Sequence, residues 1–202
     1  MCFHNSMSAK AIKLATRYGR KSDIIEIYRD VLNEQYHINA FNFPKYPIIT
    51  ASDEIQVFNW GLIPFWVKTE EDAEEMRKMT LNARAETIFE KPSFRESIMR
   101  KRCIVPSTGY FEWRHEESTQ HATFSIITTA TNSLTDYIHN TKHRMPAILS
   151  PEDEEQWLNP ELSRENIEYF FKPYSSDEMG AYPIGNDFIK KMPTDKSILQ
   201  RA

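Results

Sequence analysis

The chain has 202 residues, of which 40% are hydrophobic and 12% aromatic, so it can bury one substantial core and is expected to form a single domain over residues 1–202. Its two cysteines are too few for a disulfide framework or a four-cysteine zinc site, and we expect no metal and no cofactor. No apolar run approaches the roughly 18 residues of a membrane span, and the N-terminus lacks the apolar core of a signal peptide, so we expect a cytoplasmic protein without a membrane partner.

The net charge is −4, but the acidic excess lies in the second half of the chain. Residues 1–105 contain 16 Lys and Arg against 14 Asp and Glu, whereas residues 106–202 contain 9 against 15. A local basic groove for nucleic acid is therefore compatible with the composition, although charge alone favours an ordinary mixed-charge surface.

Apolar periodicity, capping residues and charge predict four helices, which cover residues 8–18, 23–32 and 69–79 and a segment that begins at Ser150. Aromatic and β-branched runs predict short strands between residues 36 and 58, at 102–106 and at 124–129. Ser150 is expected to cap the last helix, with Trp157 and Leu158 facing inward. Because strands and helices do not alternate as in βαβ units, the pattern predicts an α+β fold.

Cys2 is the first candidate functional residue. A small residue at position 2 usually permits removal of the initiator methionine, which leaves an α-amine and a thiol on adjacent carbons. The α-amine titrates near pH 7.7 to 8.0 in peptides, so roughly a tenth or more of it is neutral at pH 7. Such an amine forms a Schiff base with an aldehyde, and the thiol then closes a thiazolidine ring. Taken alone, a cysteine at this position is more often an ordinary N-terminal residue.

The segment from Trp60 to Trp66 concentrates aromatic residues around Gly61 and Pro64. A rigid turn of this kind presents aromatic faces to unpaired bases, and each stacked base contributes roughly 1–3 kcal/mol. Trp60, Pro64 and Trp66 are therefore candidate DNA-binding residues. The alternative is that both tryptophans anchor the hydrophobic core.

Asn82 and Arg84 alternate with the small residues Ala83 and Ala85. In an extended segment the two polar side chains point the same way, so that Arg84 can bind a phosphate while Asn82 binds a sugar or a base edge. The alternative is a surface salt bridge from Arg84 to Glu86.

Glu112 stands between Phe111 and Trp113, at the end of a short apolar strand and a Pro-Ser-Thr-Gly turn. Aromatic neighbours desolvate a carboxyl group and raise its pKa, which suits a residue that transfers protons during imine formation. Strand alternation offers the alternative that Glu112 faces solvent. Cys103, in the apolar strand, is expected to be a buried structural thiol.

Two histidines, His139 and His143, precede Arg144 and a Pro-containing turn. A histidine here would act as an acid on the ring oxygen of a sugar and open the hemiacetal to its aldehyde. The alternative for either residue, favoured for His143, is a polar loop position.

In this order, these five segments resemble the SOS-response-associated peptidase (SRAP) family of abasic-site processing proteins, and the likeness runs from Cys2 to about Leu149. The resemblance implies a mixed, mostly antiparallel, barrel-like sheet core with flanking helices, in a monomer that joins the nucleoid on DNA damage. It implies single-stranded DNA containing abasic sites as the partner, and a covalent thiazolidine link from Cys2 to the ring-opened deoxyribose. It also implies removal of Met1, by the protein itself, and lyase-like chemistry.

The resemblance assigns roles to individual residues. Asn82 and Arg84 would hold the sugar and phosphate of the lesion, and Glu112 would transfer protons. His139 would be the family's catalytic histidine, because it follows an isoleucine as that histidine often does, and His143 is the second choice. The remaining expected DNA-binding residues are Trp60, Pro64, Trp66, Trp113 and Arg144.

The sequence departs from the family pattern in three places. The family often continues Met-Cys with Gly-Arg, whereas Phe3 and His4 follow here. The family's His-x-Arg-Met-Pro spacing would place its histidine at Lys142, so three inserted residues are assumed. The segment 114–123 is also much shorter than the family's, which predicts the loss of a strand and a loop.

Two other functions share these residues. In an N-terminal-nucleophile cysteine hydrolase, the freed α-amine would act as a base for the thiol, and amides would be cleaved without DNA. A non-catalytic module that binds single-stranded nucleic acid would keep its affinity in a Cys2→Ala variant.

Overall fold

The computed structural model describes residues 2–7, 11–21, 34–111, 123–138, 142–185 and 187–201. The strands within these ranges are β1 (His4–Met7), β2 (Gln35–Asn39), β3 (Lys45–Ile48), β4 (Gln56–Trp60), β5 (Asn82–Arg84), β6 (Gly109–Phe111), β7 (Thr123–Phe124), β8 (Ile126–Ala130) and β9 (Arg144–Pro146). The α-helices are α1 (Ala11–Arg17), α2 (Glu70–Met79), α3 (Pro92–Arg100), α4 (Ser133–Ile138), α5 (Glu154–Leu158) and α6 (Arg164–Glu168). Short 3-10 helices connect several of them, mostly beyond residue 168.

The strands form three three-stranded sheets, with the orders β2-β1-β6, β3-β4-β7 and β5-β8-β9. Pairing between strands is mostly antiparallel, and the parallel strand pairs in the described part of the chain are β4 with β7 and β5 with β8. The predicted α+β class is confirmed. The sheet core is not a closed barrel over these residues, because each sheet keeps two edge strands and hydrogen bonding does not run continuously around the core.

Strand β1 lies at the centre of its sheet and is buried along its whole length. His4 pairs with Asn39 of β2 on one side and with Phe111 of β6 on the other. A buried strand that carries His, Asn and Ser needs internal hydrogen-bond partners, since unpaired polar groups are costly away from water. Cys2 lies two residues before β1 and is tied to it by its thiol, which donates to the main-chain oxygen of His4.

The turn after β4 depends on Gly61. Its φ is +100°, and a Cβ at this position would lie 3.1 Å from Arg77 Cβ and from the Phe43 ring. Any larger residue is therefore strained in its backbone and crowded by its neighbours. Helix α2 follows, and Thr69 caps it by accepting a hydrogen bond from the Asp72 N–H at 3.2 Å.

Several local predictions are confirmed. Helix α2 covers the segment predicted at 69–79, and α1 lies within the one predicted at 8–18. Trp157 and Leu158 are both buried. The helix predicted at 23–32 lies outside the described residues.

Other local predictions were wrong. Residues 102–106 form only a single bridge, between Ile104 and Ile49, because the main-chain oxygens of Cys103 and Pro106 accept hydrogen bonds from the side chains of Trp157 and Tyr46 instead of from a neighbouring strand. Ser150 does not cap a helix. Its carbonyl accepts a hydrogen bond from the Asp153 N–H at 3.0 Å, and this turn delays α5 until Glu154.

Helix α3 was not predicted, although Pro92 at its first position is a recognisable helix start. Within the described ranges, no helix is long and apolar enough to cross a membrane.

Candidate functional site

Cys2 lies on the wall of a large cleft, with only 4% of its surface exposed. Its thiol donates to the main-chain oxygen of His4 across an S···O distance of 3.9 Å. Its own main-chain oxygen accepts a hydrogen bond from Asn82 Nδ2 at 2.9 Å. The residue is thus held from both sides, by the start of β1 and by a side chain from β5 that is 80 positions away in sequence.

Asn82 also carries an unused acceptor. Its Oδ1 atom is buried and has no hydrogen-bond partner among the described residues. A buried amide oxygen without a partner is uncommon and costs roughly 1–3 kcal/mol, so it calls for a functional explanation. Beside Cys2, this oxygen is available to a donor on a bound molecule.

The buried hydroxyl of Tyr46 links neighbouring segments of the site by hydrogen bonds. Its hydroxyl accepts a hydrogen bond from Asn5 Nδ2 at 2.9 Å and donates one to the main-chain oxygen of Pro106 at 2.7 Å. Burial, and next the charge of a Cys2 thiolate, raise the pKa of Tyr46, so the hydroxyl keeps its proton and remains a donor. Ser107 donates to Asn5 Oδ1 and completes a chain of bonds from β3 to the loop before β6.

His4, two residues after Cys2 in sequence, forms a buried pair with His37. His4 Nδ1 and His37 Nε2 are 2.9 Å apart, and the ring centres are 5.1 Å apart in a stacked arrangement. Phe188 packs edge-on against both rings, and Phe111 packs edge-on against His37. Burial, with the nearby His37 as a second cause, lowers the pKa of His4 to about 4, and burial lowers that of His37. Both rings are therefore neutral at pH 7, and one donates to the other.

His4 occupies the position at which the family pattern has an arginine. The family resemblance placed an arginine two residues after the cysteine, and this chain has a buried, neutral imidazole there instead of a cation. The sequence does not indicate this pairing, because His4 and His37 are 33 positions apart and meet only through the pairing of β1 with β2.

The segment that begins at Asn82 forms strand β5, with Ala83 buried and Arg84 exposed. Asn82 and Arg84 therefore project to the same side, as predicted from their alternation. The salt bridge of Glu86 is with Arg144 and not with Arg84: Arg144 Nη1 lies 2.6 Å from Glu86 Oε1. The hydrogen bond from Arg144, and more weakly the charges of Arg144 and Arg84, lower the pKa of Glu86. Arg144 thus pairs with Glu86 and the charge of Arg84 acts on the same carboxylate more weakly, so the three groups together carry one net positive charge.

In the aromatic turn, which runs from Trp60 to Trp66, some residues lie in the core and others on the surface. Trp60 is fully buried, stacks on Phe124 with ring centres 5.4 Å apart, and donates from Nε1 to the Leu81 main-chain oxygen at 2.9 Å. It is a core anchor and is not available for base stacking, and Pro64 is buried as well. Trp66 is 38% exposed and Phe65, which sequence reasoning passed over, is 72% exposed.

The cleft is more basic than the protein as a whole. Among the described residues that line it, six are basic and three acidic: Lys13, Arg17, Lys68, Lys101, Arg102 and Arg144, against Glu70, Glu96 and Glu154. Phe65 and Trp66 line the same cleft as Cys2. A basic cleft with exposed aromatic rings fits a single-stranded polyanion.

The sequence model of the SOS response associated peptidase (SRAP) family matches residues 1–122 and 115–190. The chain belongs to the SRAP family. The two matched segments overlap at residues 115–122, inside the segment that the sequence predicts to be shortened.

Two kinds of relative support this assignment. The abasic site processing protein YoqW of Bacillus subtilis is 32% identical over 210 residues, which cover 85% of this chain and 91% of that protein. A crystallised protein of Bacteroides thetaiotaomicron is 64% identical, with a TM-score of 0.94 and full coverage of both chains. A protein of Bordetella bronchiseptica, 16% identical with a TM-score of 0.63 over 87% of this chain and 96% of that one, shares the fold.

Three residues expected of an SRAP site, Glu112, Trp113 and His139, lie outside the described residues. Phe111 and Ile138, which directly precede Glu112 and His139 in sequence, both line the cleft. His143, the second choice for the catalytic histidine, is described: its side chain is more than half exposed, and its Nδ1 lies 2.5 Å from Asp136 Oδ1. Within the described residues, no group of three His, Cys, Asp or Glu side chains is arranged to hold a metal ion.

Proposed function

We propose that this SRAP protein captures the aldehyde form of abasic sites in single-stranded DNA by forming a thiazolidine at Cys2 once Met1 is removed. The observation that carries the proposal is the 2.9 Å hydrogen bond from Asn82 to the carbonyl of Cys2, because it joins the nucleophile to the polar strand that also presents Arg84. The relative YoqW is named an abasic site processing protein, which supports the same substrate.

The chemistry needs no oxidant and no metal. The neutral α-amine of Cys2 attacks the C1′ aldehyde, and the resulting carbinolamine loses one water to give an imine. The thiol then adds to the imine carbon while its proton goes to the nitrogen, which closes the five-membered ring. The net change is loss of one water, and the DNA strand becomes linked to the protein through C1′.

The neighbouring residues supply protons and position. Glu112 transfers protons during imine formation and ring closure, and His139 protonates the ring oxygen to open the sugar. The unpartnered Asn82 Oδ1 accepts a hydrogen bond from a hydroxyl of the opened sugar. Arg84 binds the adjacent phosphate. Met1 is removed by hydrolysis of its peptide bond, in a step that the protein itself performs.

The cleft favours DNA that is already single-stranded. Its basic lining and the rings of Phe65 and Trp66 match a phosphate backbone with unpaired bases. Single-stranded DNA needs no energy to unpair bases around the lesion, whereas duplex DNA does. Arg144 lines this cleft but is paired with Glu86, so the phosphate ligand proposed here is Arg84, which is exposed at the end of β5 and is not itself part of the cleft lining.

The test is a denaturing gel with a single-stranded oligonucleotide that carries one abasic site. Purified protein, shown by intact mass to lack Met1, is expected to give a shifted band that survives denaturation, with a mass equal to protein plus DNA minus one water. Cys2→Ala should abolish the band, and Glu112→Gln should slow its formation. Cys103→Ala is the matched control, because burial raises the pKa of the Cys103 thiol to about 12 and leaves it unreactive.

Two results would replace the proposal. If protein without Met1 forms no resistant band, covalent capture is wrong, and unchanged DNA affinity in Cys2→Ala would then identify a binding module. Turnover of amide substrates that is independent of DNA and lost in Cys2→Ala would identify an N-terminal-nucleophile hydrolase.

A further inference from the structure

Helix α4 presents an aromatic ring to solvent next to the cleft. Tyr137 is 84% exposed, and its side chain makes no hydrogen bond, ion pair or ring contact with the rest of the described chain. Ile138, the next residue, is also exposed. An isolated exposed side chain is common on protein surfaces, but an exposed aromatic ring beside a candidate active site can contact a bound molecule.

The helix that carries Tyr137 is fixed on its other side. Thr135 is buried, and its N–H donates to Asn132 Oδ1 at 2.8 Å. Asp136 accepts hydrogen bonds from Thr131 at 2.7 Å and from His143 at 2.5 Å. Hydrogen bonds with Thr131, Asn132 and His143 thus anchor α4, the helix that carries Tyr137.

Tyr137 lies on the wall of the cleft that contains Cys2. Ile138 and Arg144 line the same cleft, and the hydrogen bond between His143 and Asp136 joins the residue before the strand of Arg144 to the helix of Tyr137. Phe65 and Trp66 line it too, but they come from the turn between β4 and α2. The cleft therefore has exposed aromatic rings on two independent elements, together with cationic side chains.

We propose that Tyr137 is a second base-stacking platform, which holds a nucleotide next to the abasic site on single-stranded DNA. The inference rests on the proposed function and assigns a further binding residue to the same cleft. A tyrosine face stacks on any of the four bases, so the contact requires no particular sequence. Because an abasic site has lost one stacking partner in the strand, an added platform for a flanking base compensates for that loss.

The test separates binding from covalent capture. In the Cys2→Ala background, affinity is measured for a single-stranded oligonucleotide that carries a tetrahydrofuran analogue of the abasic site. Tyr137→Ala is expected to weaken binding by about 5- to 150-fold, the range for loss of one stacked base, whereas Tyr137→Phe keeps the affinity because it keeps the ring. Tyr169→Ala is the matched control, since Tyr169 is 54% exposed and does not line the cleft.

Salt dependence distinguishes stacking from charge. Tyr137→Ala should leave the slope of log affinity against log salt unchanged, because no phosphate contact is removed. Arg84→Ala should reduce that slope by about one. A 2-aminopurine base placed in turn on each side of the analogue should be quenched by the protein at one position, and this quenching should be lost in Tyr137→Ala and kept in Tyr137→Phe.

The outcomes for the platform and for covalent capture are separate. If the wild-type protein crosslinks abasic DNA but Tyr137→Ala binds as tightly as Tyr169→Ala and quenches 2-aminopurine normally, the platform does not exist and the proposed function stands. If Tyr137→Ala loses affinity while wild-type protein forms no crosslink, the surface binds DNA and covalent capture is wrong.

Discussion

The side-chain amide of Asn82 donates a hydrogen bond to the main-chain oxygen of Cys2 at an N···O distance of 2.9 Å. Asn82 is held by strand β5, whose parallel pairing with β8 sets its direction. The Cys2 carbonyl is bonded to the same carbon that carries the α-amine and the thiol-bearing side chain. Fixing the carbonyl therefore limits rotation of both reactive groups, which favours reaction with an aldehyde bound in one place.

Removal of this hydrogen bond should slow crosslinking. Asn82→Ala is expected to lower the single-turnover rate about tenfold, as for the loss of about 1.4 kcal/mol of positioning. The rate is measured on a denaturing gel with protein whose loss of Met1 is verified by mass. Asn42→Ala, at an exposed asparagine, is the control. Equal rates for Asn82→Ala and Asn42→Ala would show that the bond has no part in the reaction.

The two arginines near Glu86 should respond differently to substitution. Arg84→Ala removes an exposed cation, so DNA binding should weaken and its salt slope should fall by about one, with little change in stability. Arg144→Ala should also lower the melting temperature, because its guanidinium donates to the Thr128 main-chain oxygen and pairs with Glu86. Melting curves and salt titrations of both variants check this. A stability loss confined to Arg84→Ala would contradict it.

The two tryptophans of the aromatic turn should separate stability from binding. Trp60→Phe removes one of the two hydrogen bonds that the Leu81 carbonyl accepts, leaving the one from the Ile126 N–H, and opens space in the core, so the free energy of unfolding should fall by about 2 kcal/mol. Trp66→Ala should leave stability nearly unchanged and weaken binding of single-stranded DNA about tenfold. Urea unfolding and binding titrations measure the two effects. The assignment is reversed if Trp66→Ala unfolds the protein and Trp60→Phe only loses affinity.

The buried histidine pair should make stability depend on acid. Burial lowers the pKa of folded His4 to about 4, whereas an unfolded histidine titrates near 6.5, so the unfolded state binds more protons between these values. The contribution is fully present above pH 6.5 and is lost as pH falls toward 4. From pH 7 to pH 5 it should lower the free energy of unfolding by about 2 kcal/mol, and the lowered pKa of His37 acts in the same direction.

His4→Gln is the variant that tests this dependence. Its amide can still hydrogen-bond to His37 Nε2, but it does not titrate. Urea unfolding at pH 7 and pH 5 should therefore show a smaller loss of stability in the variant than in the wild-type protein. If both lose the same amount, the acid sensitivity arises elsewhere.

Motifs and local periodicity identified much of this protein. The capped, charged helix at 69–79 was predictable because its signals, acidic residues in the first turn and basic residues in the last, all lie within the helix itself. The alternation of Asn82 and Arg84 predicted their shared side, because a strand places every second residue on the same face. The order of the five motifs led to the SRAP family, which the family match established.

The partners of these residues came only from tertiary structure. Nothing in the sequence indicates that His4 lies against His37 or that Asn82 reaches Cys2, because these pairs are 33 and 80 positions apart and depend on strand pairing. The same applies to Trp60 and Trp66, which are alike in sequence but opposite in exposure. Residue type determines which chemistry is available. The packing of strands that are distant in sequence decides which side chains are in buried contact and which are exposed to solvent.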